Sequence, residues 1–228
     1  MSPPKLERET VAVYPIIDIG YHRFDDVPRL SGAALRGGAT IVQLRHKGED
    51  FGLVAEVVEK VRHWIGQADI PLIVNDRLDV ALELGAQGVH LGQSDMAVTA
   101  ARAAADRAGR DAFLLGVSVT TVDQAKQAMD DGADYLSVSP LFGTATKPDL
   151  DPPAGLEGLR RIRAALPTVP LVAIGGIQVG RVPEVIEAGA DGVAFISAMG
   201  EHPEQEVRAI AGAVGQTKAR LNQKVQLS

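Results

Sequence analysis

The stretch from Pro71 to Asp95, PLIVNDRLDVALELGAQGVHLGQSD, constrains the fold more than any other part of the chain. It holds two short apolar runs, PLIV and GVHL, each too short for a helix and each followed at once by polar residues. Between them, DRLDVALELG carries apolar residues at helical spacing and ends at a glycine, where a helix is expected to stop. The stretch therefore predicts a strand, a helix and a second strand, the unit that makes neighbouring strands parallel.

Two aspartates follow the two strands of this unit. The first strand ends in Asn75 and Asp76, and the second runs out through GQSD to Asp95. The carboxyl ends of parallel strands share one rim, and neighbouring strands lie about 4.8 Å apart, so both carboxylates could reach one cation. This predicts Mg²⁺, which takes one or two carboxylates and leaves its other positions to water and substrate phosphate. The alternative is that each aspartate caps the helix that follows it, since Asp is a favoured N-cap residue.

The same alternation of strand and helix recurs along the whole chain. It begins with the apolar strand VAVYPIID and ends with DGVAFISAM, and the turns GGAT, GAQGV, GADYL and GADGV recur before several strands. Eight such units in 228 residues predict an α/β protein with a single (β/α)₈ TIM barrel. An open doubly wound sheet is the alternative, but no G-x-G-x-x-G follows the first strand.

No linker or low-complexity segment divides the chain, so we expect one domain over residues 1–228. Its core is predicted at about 11–214, with a flexible N-terminal segment at 1–10. A closing helix is predicted from Pro203 to Val214, followed by a flexible tail at 216–228.

The composition narrows the functional class. A formal net charge of −6 argues against a nucleic-acid surface and offers no polybasic membrane patch. The chain has no cysteine, which excludes disulfides and thiolate chemistry, and no apolar run reaches the length of a membrane span. We therefore expect a cytoplasmic protein with small-molecule partners. The sequence leaves open whether the protein forms a homo-oligomer.

Polar side chains and glycines collect where the predicted strands end. They are Gln43, Arg45 and Lys47 from strand two, Asn75 and Asp76 after strand three, Asp95 after strand four, Ser118 from strand five, Thr144, Thr146 and Lys147 after strand six, Gly176 after strand seven, and Ile196 and Ser197 after strand eight. The active sites of TIM barrels lie at this rim, and phosphate commonly binds near strands seven and eight. Two carboxylates, three cations and several hydroxyls suit a diphosphate held with Mg²⁺.

Simpler interpretations exist for parts of this set. The charged end of strand two could be a salt-bridged surface, and the pair Gly175-Gly176 could be an ordinary tight turn. No histidine takes an obvious general-base position: His90 lies inside the apolar strand GVHL, where we expect it to be packed or hydrogen-bonded in the core, and His46 is expected to face away.

The chain resembles the thiamine-phosphate synthase (thiamine-phosphate pyrophosphorylase) family in six segments: VQLRHK, LIVNDRLDVALELGAQGVHLGQSD, LGVSVTT, GADYLSVSPLFGTATKPD, VAIGGI and GVAFISAM. The resemblance runs from Val11 to about Val214. It implies a transferase of thiamine biosynthesis that joins 4-amino-5-hydroxymethyl-2-methylpyrimidine diphosphate to a thiazole phosphate and releases pyrophosphate. The implied reaction is dissociative: pyrophosphate leaves, and the thiazole nitrogen captures a pyrimidine methylene cation.

The resemblance also implies roles for the rim residues. Asp76 and Asp95 would hold Mg²⁺. The pyrimidine diphosphate would be bound by Gln43, Arg45, Lys47, Asn75, Ser118 and Lys147, of which Arg45, Lys47, Ser118 and Lys147 would be catalytic. The thiazole phosphate would be bound by Thr144, Thr146, Gly176, Ile196 and Ser197.

The chain departs from the family pattern at two places. The family often has a histidine two residues after the serine of the GVS motif, where this chain has Thr120, and the first strand exit, DIGYHRFDD, is not a close match. The main alternative function is a related thiazole tautomerase or regulator-like barrel, which binds thiazole phosphate without the transferase reaction. A phosphate-sugar isomerase or epimerase is a third class, and Asp18 is its one first-strand candidate for a base.

Overall fold

Eight parallel strands close into a barrel in chain order in the computed structural model, which describes residues 6–48, 51–65, 68–143 and 152–226. The strands are β1 Val13–Asp18, β2 Val42–Arg45, β3 Leu72–Asn75, β4 Gly88–Leu91, β5 Leu114–Val119, β6 Tyr135–Val138, β7 Leu171–Ile174 and β8 Gly192–Phe195. Strand β8 closes on β1, with Val193 paired to Val13. The predicted (β/α)₈ barrel is confirmed. The open doubly wound sheet is excluded, because β1 and β8 pair with each other, whereas the two edge strands of an open sheet do not.

A helix follows each strand. The helices are α1 Val27–Gly37, α2 Phe51–Ile65, α3 Leu78–Glu83, α4 Val98–Arg107, α5 Val122–Asp130, α6 Gly155–Ala165, α7 Val182–Glu187 and α8 Pro203–Gln226. Short 3₁₀ helices occupy Arg8–Val11, Phe24–Asp26 and Val179–Arg181. The order of strands and helices is the one that the hydrophobic pattern predicts.

The core has two layers, as a closed barrel requires. Most buried aliphatic side chains fill the shell between the strands and the surrounding helices. A second group fills the barrel interior: Val11, Tyr14, Ile16, Ile41, Ile73, Tyr135, Val172, Ala194 and Ile196. Two tyrosines in this interior are unusual, because the inside of a TIM barrel is dominated by branched aliphatic residues.

The closing helix α8 is longer than predicted. We expected it to stop at Val214, before Gly215, but it continues to Gln226. Glycine inside a helix costs only about 1 kcal/mol relative to alanine, which tertiary contacts can offset. Here Thr217 is buried, Leu221 packs against the core, and Arg220 forms an ion pair with Glu187 of α7. The prediction that the ends of the chain are flexible stays a prediction.

The amino-terminal end of the barrel is closed by charged side chains. Asp191, directly before β8, is 3% exposed and accepts hydrogen bonds from Arg163 Nη2 at 2.7 Å and from the Leu171 backbone N–H at 2.8 Å. Arg8 forms an ion pair with the same carboxylate. These contacts tie the first 3₁₀ helix and α6 to the base of β7 and β8.

Candidate active site

Of the three site residues predicted on strand two, two are buried in the barrel and the third is exposed just beyond the end of β2. Gln43 and Arg45 are both buried, and they lie on the same face of β2 because they are two residues apart. Gln43 Nε2 donates a hydrogen bond to Tyr14 Oη at 2.9 Å. Lys47 lies beyond the end of β2 and its side chain is exposed. The salt-bridged surface considered for this segment is therefore wrong for Gln43 and Arg45.

The Arg45 guanidinium is held by Asp18, the residue paired with it across β1 and β2. One Asp18 oxygen accepts from Arg45 Nη1, and the other accepts from the Gly20 backbone N–H at 2.9 Å. Within the described residues, Arg45 Nε is buried without a hydrogen-bond partner. A buried donor left unpaired costs about 1–3 kcal/mol, and an anionic substrate at this rim could satisfy it. Our residue assignment missed Asp18 as a site residue and treated it only as a candidate base.

Asp76 turns the chain directly after β3. Its φ of +63° lies in the left-handed region, which Asp tolerates better than most residues. Its backbone N–H donates to the His90 carbonyl at 2.8 Å, and its carboxylate lies 3.8 Å from Lys47 Nζ. Helix α3 begins at Leu78, with Arg77 in the N-cap position and no side-chain cap. Asp76 therefore does not occupy the N-cap position of α3.

Asp95 folds back toward the end of β4. Its Oδ2 accepts a hydrogen bond from the Gly92 backbone N–H at 2.6 Å. Helix α4 begins at Val98, and its N-cap position is Ala97. The capping alternative is wrong for this aspartate as well. Neither aspartate thus occupies the N-cap position of the helix that follows it.

Asp76 and Asp95 are the residues that could hold a divalent cation here. Two carboxylates on the exits of adjacent parallel strands are a suitable donor set for Mg²⁺, which keeps several water or phosphate ligands. Across the described ranges there is no cluster of three or more His, Cys, Asp or Glu side chains that could hold a metal alone. A cation at this rim would need ligands from substrate or water.

Ser118 lies near the end of β5 and is half-buried. Its Oγ is 3.0 Å from His90 Nε2, and its carbonyl accepts a hydrogen bond from Gln93 Nε2 at 2.7 Å. Asn75, the last residue of β3, is buried and pairs in register with His90. The three remaining predicted residues of the β6 loop lie outside the described residues: Thr144, Thr146 and Lys147.

The exits of β7 and β8 form the predicted phosphate end. Gly176 has a φ of +63°, and a Cβ there would lie 2.6 Å from the Gly143 carbonyl oxygen. Only glycine therefore fits this turn without displacing the backbone of the β6 loop. Ile196 is buried and Ser197 is exposed at the end of β8.

His22 was missed by the sequence reasoning at this end. Its Nδ1 accepts a hydrogen bond from the Asp18 backbone N–H at 3.2 Å, and its Nε2 is buried without a partner among the described residues. Burial lowers the pKa of His22, against the raising effect of the nearby Asp18 carboxylate. The poorly matching segment DIGYHRFDD was the signal that this loop has its own contacts.

A hydrogen-bonded row of side chains crosses the barrel interior, and we call it the cross-barrel network. Tyr14 Oη lies 2.8 Å from Tyr135 Oη, which lies 3.1 Å from His90 Nδ1. Gln43 extends the row at the Tyr14 end, and Ser118 extends it at the His90 end. The expectation that His90 is hydrogen-bonded in the core is confirmed. The tyrosines could have been noticed as polar-tipped residues in otherwise aliphatic strands.

Comparison with known proteins gives one family. The family model described as thiamine monophosphate synthase matches residues 13–199. The thiamine-phosphate synthase of Chloroflexus aurantiacus is 46% identical over 187 residues, which cover 82% of this chain and 84% of that protein. The thiamine-phosphate synthase of Albidiferax ferrireducens is 50% identical over 167 residues, which cover 73% of this chain and 74% of that protein.

Solved structures agree with this assignment. The thiamine phosphate pyrophosphorylase from Pyrococcus furiosus superposes with a TM-score of 0.80 at 33% identity, covering 92% of this chain and 98% of that chain. A 3-hexulose-6-phosphate synthase superposes with a TM-score of 0.66 at 18% identity, which supports the barrel fold alone. None of the helices in the described part of the chain has the length and apolarity of a membrane span. On the family match and the close relatives together, the chain belongs to the thiamine monophosphate synthase family.

Proposed function

We propose that this chain, as a member of that family, joins 4-amino-5-hydroxymethyl-2-methylpyrimidine diphosphate to a thiazole phosphate and releases pyrophosphate. The observation that carries the proposal is that a basic cluster and two carboxylates lie at the same rim of the barrel. Arg45 ends β2 and Lys47 follows it, while Asp76 and Asp95 lie in the loops after β3 and β4. Diphosphate binding needs both the cations and a divalent metal, and this rim offers groups for each.

The proposed reaction requires positioning and charge stabilisation rather than a protein base. The bond between the pyrimidine methylene carbon and the diphosphate oxygen breaks, and its electron pair leaves with pyrophosphate. The thiazole ring nitrogen then donates its lone pair to the methylene carbon, and a new C–N bond forms. Arg45 and Lys47 stabilise the negative charge that grows on the leaving group, with Lys147 of the β6 loop and Ser118 as further donors.

Mg²⁺ held by Asp76 and Asp95 would supply a Lewis acid that neutralises charge on the diphosphate. The left-handed turn of Asp76 directly after β3 and the hydrogen bond that holds Asp95 back toward Gly92 support this assignment. Asn75 and Gln43 are assigned to the pyrimidine diphosphate, as the family resemblance implies.

The thiazole phosphate is assigned to the opposite part of the rim. Gly176, Ile196 and Ser197 would bind its phosphate, partly through backbone N–H groups, together with Thr144 and Thr146 of the β6 loop. Glycine at 176 lets the backbone come close to a phosphate, as it does in other phosphate-binding loops. This arrangement brings the two substrates together from different strands, so their orientation contributes to the rate.

The rival functions receive less support from the site. Thr120 stands where the family often has histidine, so this position offers no imidazole. Its hydroxyl donates a hydrogen bond to the Ser139 carbonyl at 3.2 Å. Asp18, the candidate base of an isomerase, is engaged by Arg45 and Gly20. We also propose a cytoplasmic location, since both substrates are charged phosphates that do not cross membranes unaided.

The decisive experiment is incubation of the protein with both substrates and Mg²⁺, with thiamine phosphate and pyrophosphate measured together. We expect equal amounts of the two products, loss of both on chelation of Mg²⁺, and recovery when Mg²⁺ is restored. Formation of neither product, with thiazole phosphate still binding in a titration, would favour the tautomerase or regulator-like alternative. An electron-withdrawing substituent on the pyrimidine should slow turnover strongly, because it destabilises the methylene cation.

A further inference from the structure

The cross-barrel network joins two residues that the proposed function places at the pyrimidine diphosphate. Gln43 lies on β2 and Ser118 on β5, on different sides of the barrel. Tyr14, Tyr135 and His90 connect them through contacts of 2.8–3.1 Å. Buried polar groups in such a row are expensive unless each is satisfied, so the row is a specific arrangement rather than a way of filling space.

The sequence makes room for this network at one position. Gly116 on β5 lies where Tyr135 and His90 meet: a Cβ there would be 2.0 Å from Tyr135 Cζ and 2.6 Å from His90 Nδ1. Real Cβ atoms never approach other atoms so closely, so any other residue at 116 would force the two rings apart. A glycine inside a strand also weakens that strand, so its presence marks the close approach.

The hydrogen bonds of the network have one favoured direction. Burial raises the pKa of both Tyr14 and Tyr135, so each keeps its hydroxyl hydrogen and can donate once. Gln43 Nε2 donates to Tyr14 Oη, which leaves the Tyr14 hydrogen to be donated to Tyr135 Oη. Tyr135 can then donate to His90 Nδ1.

We propose that Tyr135 and His90 are positioning residues that fix the hydroxyl hydrogen of Ser118. A hydrogen bond from Tyr135 at Nδ1 makes His90 a neutral imidazole with its hydrogen on Nε2, which donates to Ser118 Oγ. Ser118 then keeps its own hydrogen for the substrate. On the proposed function, the acceptor is an oxygen of the pyrimidine diphosphate, where negative charge develops as the bond breaks.

The first test measures the tautomer of His90 in the protein without substrates. We would label the histidines with ¹⁵N, record the ring nitrogens by long-range ¹⁵N NMR, and assign His90 from its loss in His90→Asn. The expected result is an unprotonated Nδ1 and a protonated Nε2, with Tyr135→Phe shifting the signals toward a mixture of tautomers. A protonated Nδ1 in the native protein, or no change in Tyr135→Phe, would overturn the proposal.

The second test asks whether Tyr135 acts through Ser118. We expect Tyr135→Phe to lower kcat about tenfold with little change in KM, and to have no further effect in a Ser118→Ala background. Equal effects of Tyr135→Phe in both backgrounds would overturn the proposal, since Tyr135 would then act independently of Ser118.

Ser31→Ala is the matched control for lost stability. Ser31 lies on α1, outside the site, and its buried hydroxyl donates to the Val27 carbonyl at 2.8 Å. It should lose a comparable hydrogen bond without a change in kcat, and a fall in kcat equal to that of Tyr135→Phe would count against the proposal. Because the tautomer is measured without turnover, a protein that lacks synthase activity would refute the proposed function and still leave this inference open to the NMR result.

Discussion

The two ends of the barrel each bury an aspartate against arginine, but they use the pair differently. At the amino-terminal end, Asp191 is shared by Arg163, Arg8 and the Leu171 N–H. Burial lowers the pKa of Arg163, an effect that the Asp191 carboxylate opposes. At the carboxyl-terminal end, Asp18 holds Arg45, whose Nε has no partner in the described part of the chain.

On the proposed function, this difference separates an ion pair that contributes stability from an ion pair that binds the substrate. The Asp191 carboxylate joins four segments of backbone and nothing further is needed to complete it. Asp18 instead holds the Arg45 guanidinium at the rim, and the Nε donor of that guanidinium has no hydrogen-bond partner within the described residues. TIM barrels show the same division in general, with catalysis at the carboxyl ends of the strands and stability at the other end.

The largest effect is expected from removing the amino-end carboxylate. Asp191→Ala leaves the Arg163 guanidinium without its charge partner, and breaking a buried pair in this way costs about 3–5 kcal/mol of unfolding free energy. Urea denaturation of the two proteins measures it, and kcat/KM of the folded variant should be unchanged. The exposed pair of Asp79 with Arg77 supplies the control, since Asp79→Ala should cost less than about 1 kcal/mol. Equal losses in the two variants would remove the basis of the comparison.

The next effect concerns the two carboxylates at the carboxyl-terminal end of the barrel. Here we expect activity to fall while stability stays unchanged, the reverse of the result for Asp191→Ala. Asp76→Asn and Asp95→Asn should each lower kcat/KM by about 10²–10³-fold, the size found for loss of one electrostatic contact in a transition state. Asparagine tolerates the left-handed backbone at position 76 and can still accept the Gly92 hydrogen bond at position 95. Unfolding free energies should therefore stay near that of the native protein. Full activity in either variant would show that its carboxylate does not bind the metal.

A smaller effect is expected at the phosphate end. Gly176→Ala places a Cβ against the Gly143 carbonyl oxygen, so it should raise KM for the thiazole phosphate about tenfold and that for the pyrimidine diphosphate much less. Gly180→Ala is the matched control, because a Cβ there meets nothing within 4 Å. Steady-state kinetics with each substrate varied in turn gives both constants. Equal increases for the two substrates would argue against separate binding regions.

The sequence was sufficient for the fold and for most of the rim, for a physical reason. Period and length distinguish strands from helices, and parallel topology then brings residues such as Gln43, Asp76 and Ser118 to one edge without any knowledge of contacts. Contacts across the barrel are another matter. The link from Tyr14 to Tyr135 joins residues 121 positions apart, and nothing local in either strand indicates it.

The same limit applies to Asp18, Asp95 and α8. Asp18 was considered only as the candidate base of an isomerase, because its partner, Arg45, lies on another strand. Asp95 could equally have been a cap, since whether it folds back to Gly92 depends on one loop conformation. The extension of α8 beyond Gly215 depends on packing against the barrel, which outweighs local propensity.

The smallest expected effect is the pH dependence of stability from His22, beside the Asp18 pair. Its Nδ1 accepts the Asp18 backbone N–H, which an imidazolium cannot do, and burial lowers its pKa below the ordinary value of about 6.5. The unfolded chain therefore binds this proton more tightly than the folded protein does. The stabilising contribution is complete above about pH 6.5 and is lost as the pH falls through the folded pKa.

We expect the unfolding free energy of the native protein to fall between about pH 7 and pH 5.5, and to fall less steeply in His22→Gln. An identical slope in the native protein and in His22→Gln would show that His22 does not titrate differently on folding.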